Sequence, residues 1–364
     1  MSKKATNLSF FTKGLLKWFK TNDRPLPWKG EKNPYYIWLS EIILQQTRVA
    51  QGLPYFEKFK QHFPKIKNLA DASEDTVMKL WEGLGYYSRA RNLHTTAKFI
   101  AYNLDGIFPD KYEEILKLKG VGPYTAAAIA SFAYGLPHAV VDGNVYRVLS
   151  RVFGIETPID STSGKKQFAE LADRLLAKKQ AGIYNQAIMD FGATQCVPAN
   201  PNCAICPFKK KCVAFAKQTI AILPVKTKKI KKRERYFNYL LIKCGDTILL
   251  HKRTEKDIWQ NLYDFPLIEA ATILTKEELI ATDSFKDLMG NTAYQITKRS
   301  KPFKQLLTHQ KIIAVFNEIS LKKLPKNIPS SFIPVNQKNI PKFAFPKIIA
   351  VSYTHLTLPT IYSV

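Results

Sequence analysis

From the first residues to about residue 222, apolar side chains recur at intervals of three and four. Ile42, Ile43, Leu44 and Val49 form one such series, and Val77, Leu80, Trp81 and Leu84 another. This spacing collects them on one helical face. Turn residues mark helix starts, as Asp71 and Ser73 do ahead of Val77. Residues 223–235 break the pattern. Leu223-Pro224 is followed by Lys226, Lys228, Lys229, Lys231, Lys232, Arg233 and Arg235, with Glu234 the single acid among them. Like charges repel, so the run reads as an extended basic linker. Beyond it the period becomes two. Tyr236 to Lys243 and Thr247 to Lys252 read as strands around a Cys244-Gly245-Asp246 turn, and Lys311 to Leu321 as another strand. Thr275 to Ala281 and Ser284 to Leu288 read as short helices. The fold class expected is a mainly α N-terminal domain, 1–222, followed by a smaller α+β domain, 236–350. Val351 to Val364 holds no Asp, Glu, Lys or Arg and is read as a non-native or disordered tail.

Charge changes the picture. The 364 residues include 55 Lys and Arg against 29 Asp and Glu, a net charge of +26. An ordinary acidic enzyme is excluded, and a polyanion is the expected partner: nucleic acid first, an anionic membrane surface second. Apolar residues make up 46% of the chain, which excludes general disorder. Lysines interrupt Met1 to Lys20, so no signal peptide is read there. Gly120 to Val141 is uncharged and long enough to span a bilayer. However, Gly120, Gly122, Pro123, Gly135 and Pro137 divide it into turn, buried helix and turn. A soluble intracellular protein without membrane association is expected.

Four of the five cysteines crowd together. Cys196, Cys203, Cys206 and Cys212 give C-x6-C-x2-C-x5-C. Four thiolates in one short loop can hold zinc or an iron–sulfur cluster, and the spacing leaves both open. Disulfides are disfavoured in a reducing compartment. Lys209, Lys210 and Lys211 inside the loop would offer charge to a phosphate backbone. Cys244 reads as an ordinary core thiol.

Leu116-Lys117-Leu118-Lys119-Gly120-Val121-Gly122-Pro123-Tyr124-Thr125-Ala126 carries the most local information. A helix from Pro109-Asp110 to about Lys119 is expected, then a turn at Gly120, Val121 and Gly122, then a helix with Pro123 at its first position. Free N–H groups at the turn and at the second helix's N-terminus would face an anion. This is a helix–hairpin–helix, a phosphate holder indifferent to base sequence.

The hairpin, then Val141-Asp142-Gly143-Asn144-Val145-Tyr146-Arg147-Val148, then the cysteine loop resembles the DNA glycosylase superfamily of endonuclease III. Arg24-Pro25-Leu26-Pro27-Trp28, Ser40-Glu41-Ile42-Ile43-Leu44-Gln45-Gln46-Thr47-Arg48 and Trp81-Glu82-Gly83-Leu84-Gly85-Tyr86-Tyr87 narrow it. They resemble the MutY family, adenine DNA glycosylases that remove adenine mispaired with 8-oxoguanine. The resemblance is dense over residues 8–222 and implies that the four cysteines, within 196–212, hold one 4Fe-4S cluster.

It also implies roles. Cleaving the bond to adenine needs a proton for the leaving base and a negative charge beside the sugar. Glu41 would be the acid, and its apolar neighbours Trp38, Leu39, Ile42 and Ile43 suggest burial, which raises a carboxyl pKa. Asp142 would stay ionised beside the oxocarbenium-like sugar. It also precedes the stripe Val145, Val148, Leu149 and Val152, as a helix cap does. Asn144 and Tyr124 would orient the pair. Tyr124 stands where bifunctional relatives carry a lysine nucleophile, so the resemblance implies a monofunctional hydrolase that leaves an abasic site. Arg24, Leu26 and Trp28 would line the adenine pocket, with Lys29 where the family has Arg. Gln46, Leu84 and Tyr86 would contact the orphan base.

The second domain resembles the Nudix-like domain of the same family, through Ile258-Trp259-Gln260-Asn261-Leu262-Tyr263-Asp264-Phe265-Pro266. Its metal-binding glutamate helix is absent, so no pyrophosphatase activity is expected. Leu307-Thr308-His309 resembles the loop that contacts 8-oxoguanine, so Thr308 and His309 are read as lesion contacts. The partner implied is double-stranded DNA with an adenine:8-oxoguanine or adenine:guanine mispair, met by a monomer in a bacterial cytoplasm, at the nucleoid. Two other readings stand beside it: an endonuclease III-like glycosylase/lyase on oxidised pyrimidines, and a non-catalytic DNA-binding module.

Overall fold

A computed structural model describes residues 8–227, 232–326 and 328–351. Three of the linker lysines, Lys228, Lys229 and Lys231, and the expected tail past Val351 lie outside the described residues. The chain packs as two compact units. One comprises Met1–Asp71 and Thr95–Lys228, the other Ala72–His94 and Lys229–Val364. Residues 72–94, expected within the N-terminal domain, therefore pack with the C-terminal unit.

The helices in chain order are α1 (Ser9–Phe19), α2 (Pro34–Leu44), α3 (Val49–His62), α4 (Ile66–Asp71), α5 (Glu74–Trp81), α6 (Ser88–Asn103), α7 (Tyr112–Leu116), α8 (Pro123–Tyr134), α9 (Gly143–Phe153), α10 (Thr162–Leu175), α11 (Ala181–Asp190) and α12 (Val213–Ala216). The hairpin's first helix is the short α7, not the longer element expected from Pro109-Asp110 to Lys119. The core of the first unit gathers Phe11, Leu15, Val145, Val148, Leu149, Phe168 and Phe191. Helix α2 is capped by Asn33, whose Oδ1 accepts from Tyr35 N at 3.0 Å, with Pro34 at its first position. It is buried from Ile37 to Ile43 and packs against α8, whose small residues Ala126, Ala127, Ala128 and Ala130 admit it closely.

Among the described residues of the second unit, eight strands form one sheet: β1 (Arg233–Cys244), β2 (Thr247–Lys252), β3 (Tyr263–Asp264), β4 (Leu267–Ala270), β5 (Tyr294–Arg299), β6 (Phe303–Leu306), β7 (Gln310–Leu321) and β8 (Phe332–Asn336). The expected hairpin is β1 and β2, antiparallel around Gly245 at φ +54°. Strand β1 runs parallel to β7 along its whole length. Phe237 to Ile242 are buried without alternation, because β1 is central and covered on both faces. Helices α13 (Lys276–Ala281) and α14 (Asp283–Met289) pack Leu279, Phe285 and Met289 onto Leu240, Ile242 and Ile319 of this sheet. Residues 72–94 join the unit through polar contacts. Asn261 Nδ2 donates to Glu74 Oε1 (2.7 Å), Tyr263 Oη to Asp75 Oδ2 (3.1 Å) and Phe345 N to Glu82 Oε1 (2.8 Å).

Candidate active site and cysteine loop

Glu41 lies on the buried helix α2 and is 8% exposed. Its apolar surroundings were legible in the sequence. Burial raises its carboxyl to about 7, with a hydrogen bond from Tyr124 opposing and the charge of Asp142 adding to the rise. Tyr124, in the first turn of α8, is itself pushed well above its ordinary value by burial and by both carboxylates. Asp142 caps α9: Val145 N donates to Oδ1 at 2.8 Å, and Asn144 Nδ2 to Oδ2 at 2.8 Å. Burial raises this carboxyl too. It is opposed by the N–H groups of Val145 and Asn144, the Asn144 amide and the Arg147 guanidinium. So α2, α8 and α9 bring Glu41, Tyr124, Asp142 and Asn144 into one electrostatic group. The two carboxyls differ in their donors: one phenol for Glu41, several N–H groups and a cation for Asp142.

A cavity opens beside Glu41, lined by Leu26, Trp28, Lys29, Ile37, Phe132 and Gln186 among others. Trp28 packs edge-on against Phe56. Leu26 and Trp28 were expected here. Arg24 is not among the lining residues; its carbonyl accepts from Lys29 Nζ at 3.0 Å. Lys29 also pairs with Asp23 and with the buried Asp190 (2.9 Å). Gln186, whose Nε2 donates to Asp190 Oδ1 at 3.0 Å, was missed by sequence reading. It sits on α11, far away in sequence, with no local motif around it.

At the hairpin, Gly120 has φ +82°, a conformation that favours glycine. Gly122 is the cap of α8 and, having no side chain, leaves the helix's first N–H groups uncapped. A Cβ at Gly122 would meet nothing within 4 Å, so the protein itself does not need that space. Val121 N donates to Leu118 O (3.0 Å) and its side chain is buried.

Gln46 and Tyr86 are left-handed residues, at φ +55° and +49°. Such strain in a non-glycine residue points to function. In the second unit Tyr86 is 44% exposed and its Oη stands 2.5 Å from Thr308 Oγ1. Leu84, by contrast, is buried. His309 is exposed, and its carbonyl accepts from Arg233 N at 3.0 Å.

Cys196, Cys203, Cys206 and Cys212 are free thiols lining one small cavity with Arg151, Phe191 and Lys209. Burial and mutual repulsion push Cys203, Cys206 and Cys212 up, Cys206 to about 11. Among the described residues, no three His, Cys, Asp or Glu are placed to hold a single metal ion. The buried Arg151 fastens the loop, donating to Val197 O (2.7 Å) and Pro198 O (2.8 Å) and lying 3.6 Å from Cys196 Sγ. Arg147 ties the loop to the carboxyl site, donating to Cys196 O (2.7 Å), Gly192 O (2.6 Å) and Asn144 Oδ1 (2.9 Å). Among the described residues, no helix is long and apolar enough to cross a membrane.

Two family models match the chain. Residues 39–176 match the HhH-GPD superfamily of base excision DNA repair proteins, and residues 238–352 match the NUDIX domain. The adenine DNA glycosylase of Buchnera aphidicola subsp. Acyrthosiphon pisum (strain APS) is 37% identical over 284 residues, covering 77% of this chain and 81% of that protein. Among solved structures, a thermostable thymine-DNA glycosylase aligns with a TM-score of 0.54 at 29% identity, over 58% of this chain and 97% of that one. Endonuclease III in a non-covalent complex with DNA aligns with a TM-score of 0.52 at 21% identity, over 60% and 99%, a likeness of fold.

Proposed function

The chain belongs to the adenine DNA glycosylase family, and from that premise we propose that it excises adenine lying opposite 8-oxoguanine or guanine through the carboxyl pair Glu41 and Asp142. It is a base excision repair enzyme that hydrolyses N-glycosyl bonds, and DNA is its substrate. The observation that carries the assignment of roles is the unequal environment of the two carboxyls. With its carboxyl raised to about 7, Glu41 is protonated in about half of the molecules at neutral pH and can give that proton to a ring nitrogen of adenine in the adjoining cavity. Burial raises Asp142 as well, but the N–H groups of Val145 and Asn144 and the Arg147 guanidinium favour its anion, and that anion would balance positive charge growing on the sugar. Once the base has left, Glu41, now anionic, accepts a proton from the attacking water. The Tyr124 phenol, whose Oη donates to Met189 Sδ at 3.4 Å, favours the anion of Glu41, and Asn144 holds Asp142. Gly120 and Gly122 would grip a phosphate through N–H groups, whereas the Val121 N–H, read from the sequence as a third donor, is taken by Leu118 O.

A phenol cannot form the imine a lyase requires, so the reaction ends at the abasic site. A non-catalytic DNA-binding module would have no use for a buried carboxyl raised to about 7. In the second unit, Thr308 would read the base opposite: 8-oxoguanine carries an N7–H that a hydroxyl can accept, whereas guanine N7 can only accept. Its short contact with Tyr86, and the strain at Gln46 and Tyr86, support this assignment.

The cysteine set fits a 4Fe-4S cluster. Cys203, Cys206 and Cys212, thiols that burial holds against ionising, need a positive centre to become thiolates. A cluster gives each its own iron and so does not require convergence on one ion. When bound, the cluster would fix the loop that presents Lys209, Lys210 and Lys211. The enzyme would act as a monomer at the nucleoid of a bacterial cytoplasm.

The test is adenine release from an adenine:8-oxoguanine duplex in single turnover. Asp142→Asn and Glu41→Gln should each slow release a hundredfold or more, on the order of a general acid–base contribution, while mispair binding persists. Near wild-type release by either variant removes its role. Purified protein should be yellow-brown and yield iron and acid-labile sulfide; a colourless, zinc-loaded, active enzyme overturns the cluster.

A further inference from the structure

From Leu288 to Asn317 the chain carries Lys298, Arg299, Lys301, Lys304 and Lys311 and no Asp or Glu. The structure makes this stretch one edge of the C-terminal sheet. Strands β5 and β6 follow each other along the same side of β7, while β1 occupies its other side. At the bend between them, Ser300 N donates to Phe316 O (2.9 Å) and Ser300 Oγ accepts from Phe316 N (3.0 Å). Among the described residues no strand pairs with the outer side of β5 or β6.

The cations on this edge are not equivalent. Lys311 is taken by Glu234 (2.7 Å), and Arg299 donates to the carbonyl of Leu274. Lys298, Lys301 and Lys304 are exposed, and none of them makes an ion pair within 4 Å among the described residues, although the charge of Lys304 also acts on Glu234. Lysines on an edge strand also keep it from pairing with other chains. Charge of either sign serves that purpose, yet this stretch holds one sign alone. In β6 the exposed positions alternate, Lys304 then Leu306, and the next is Thr308. Alternate residues of a strand are about 6.6–6.8 Å apart. That row places Lys304 and Thr308 on one exposed side, with Leu306 between them.

We propose that the β5–β6 edge is a phosphate-binding track for duplex DNA. Lys298, Lys301 and Lys304 hold the backbone beside the nucleotide that Thr308 reads. The proposal rests on the assignment of Thr308 given above and adds a surface that sets affinity, not choice of base. Phosphate contacts position a duplex, and base contacts specify it.

The experiment uses the full chain and a duplex whose adenosine carries a 2′-fluoro group, which withdraws charge from the sugar and blocks cleavage. The dissociation constant is measured against salt, with 8-oxoguanine or guanine opposite. The triple variant Lys298→Gln, Lys301→Gln, Lys304→Gln should keep its melting temperature. Its log–log salt slope should shrink by about 0.9 for each phosphate no longer neutralised, up to about 2.7 for three. Affinity for both duplexes should fall by the same factor. Thr308→Ala should behave in the opposite way, keeping the slope and losing preference for 8-oxoguanine. An unchanged slope in the triple variant overturns the track. A changed slope together with undiminished preference in Thr308→Ala upholds the track and overturns the reading of Thr308.

Discussion

Glu41 shows how one residue trades stability for chemistry. Its carboxyl rises from 4.5 to about 7 because α2 is buried nearly all round. The proton is needed at the moment the base departs, so excision in single turnover should decline as pH rises through about 7. A flat profile from pH 6 to 9 would show that Glu41 is not the acid. The same shift bears on folding. A carboxyl whose folded pKa is raised stabilises fully below its unfolded pKa, and that contribution is lost as pH climbs through the folded value. A rise of this size corresponds to about 3 kcal/mol. Glu41→Gln, neutral throughout, should therefore melt higher than wild type at pH 8 and match it near pH 4, as scanning calorimetry at both pH values would show. An active site that gains stability when its acid is removed is the expected signature of a buried catalytic carboxyl.

At the scale of elements, the hairpin and the cysteine loop make different demands on glycine and arginine. Gly122 has an ordinary φ of −98° and open space around a would-be Cβ. Gly122→Ala should leave the melting temperature within a degree or two, while weakening DNA binding several-fold, because a methyl group would occupy the place where an anion meets the N–H groups. Gly120→Ala should instead cost about 1–2 kcal/mol of stability, since φ +82° strains any residue with a Cβ. If Gly122→Ala binds DNA as wild type does, the turn does not hold phosphate. Arg147 spans both elements: one guanidinium serves Asn144 of the carboxyl site and two carbonyls of the loop region. Arg147→Met leaves those buried acceptors unpaired, at about 1–3 kcal/mol for such a group. It should lower both iron retention and the rate of excision, and iron assay with single-turnover kinetics would read the two together.

For the whole molecule, the division into units changes what truncation does. Residues 72–94 precede the linker yet find their partners after it, as Glu74 does in Asn261, Asp75 in Lys252 and Tyr263, and Glu82 in Phe345. A chain ending at residue 227 keeps Glu41, Tyr124 and Asp142 but removes the partners of Glu74, Asp75 and Glu82. Its melting temperature should fall by several degrees relative to the full chain, and its preference for 8-oxoguanine over guanine should narrow by about ten- to a hundredfold, the worth of one good base contact. A truncated chain with wild-type melting and preference would place lesion reading on the first unit.

Much of this protein is local and therefore legible in order along the chain. A cap such as Asp142, a Gly-x-Gly turn before Pro123 and a buried stripe around Glu41 depend on neighbours within a few residues, where capping, backbone freedom and helical periodicity operate. The β1–β2 hairpin is local for the same reason. Other features needed the fold. The parallel pairing of β1 with β7 joins segments with most of a domain between them, and burial on both faces replaces the alternation expected of a half-buried strand. Gln186 beside the cavity, Arg147 between two sites and Tyr86 against Thr308 are meetings of residues far apart in sequence. No periodicity records such a meeting, because side chains from distant segments come together only once the helices and the sheet have packed.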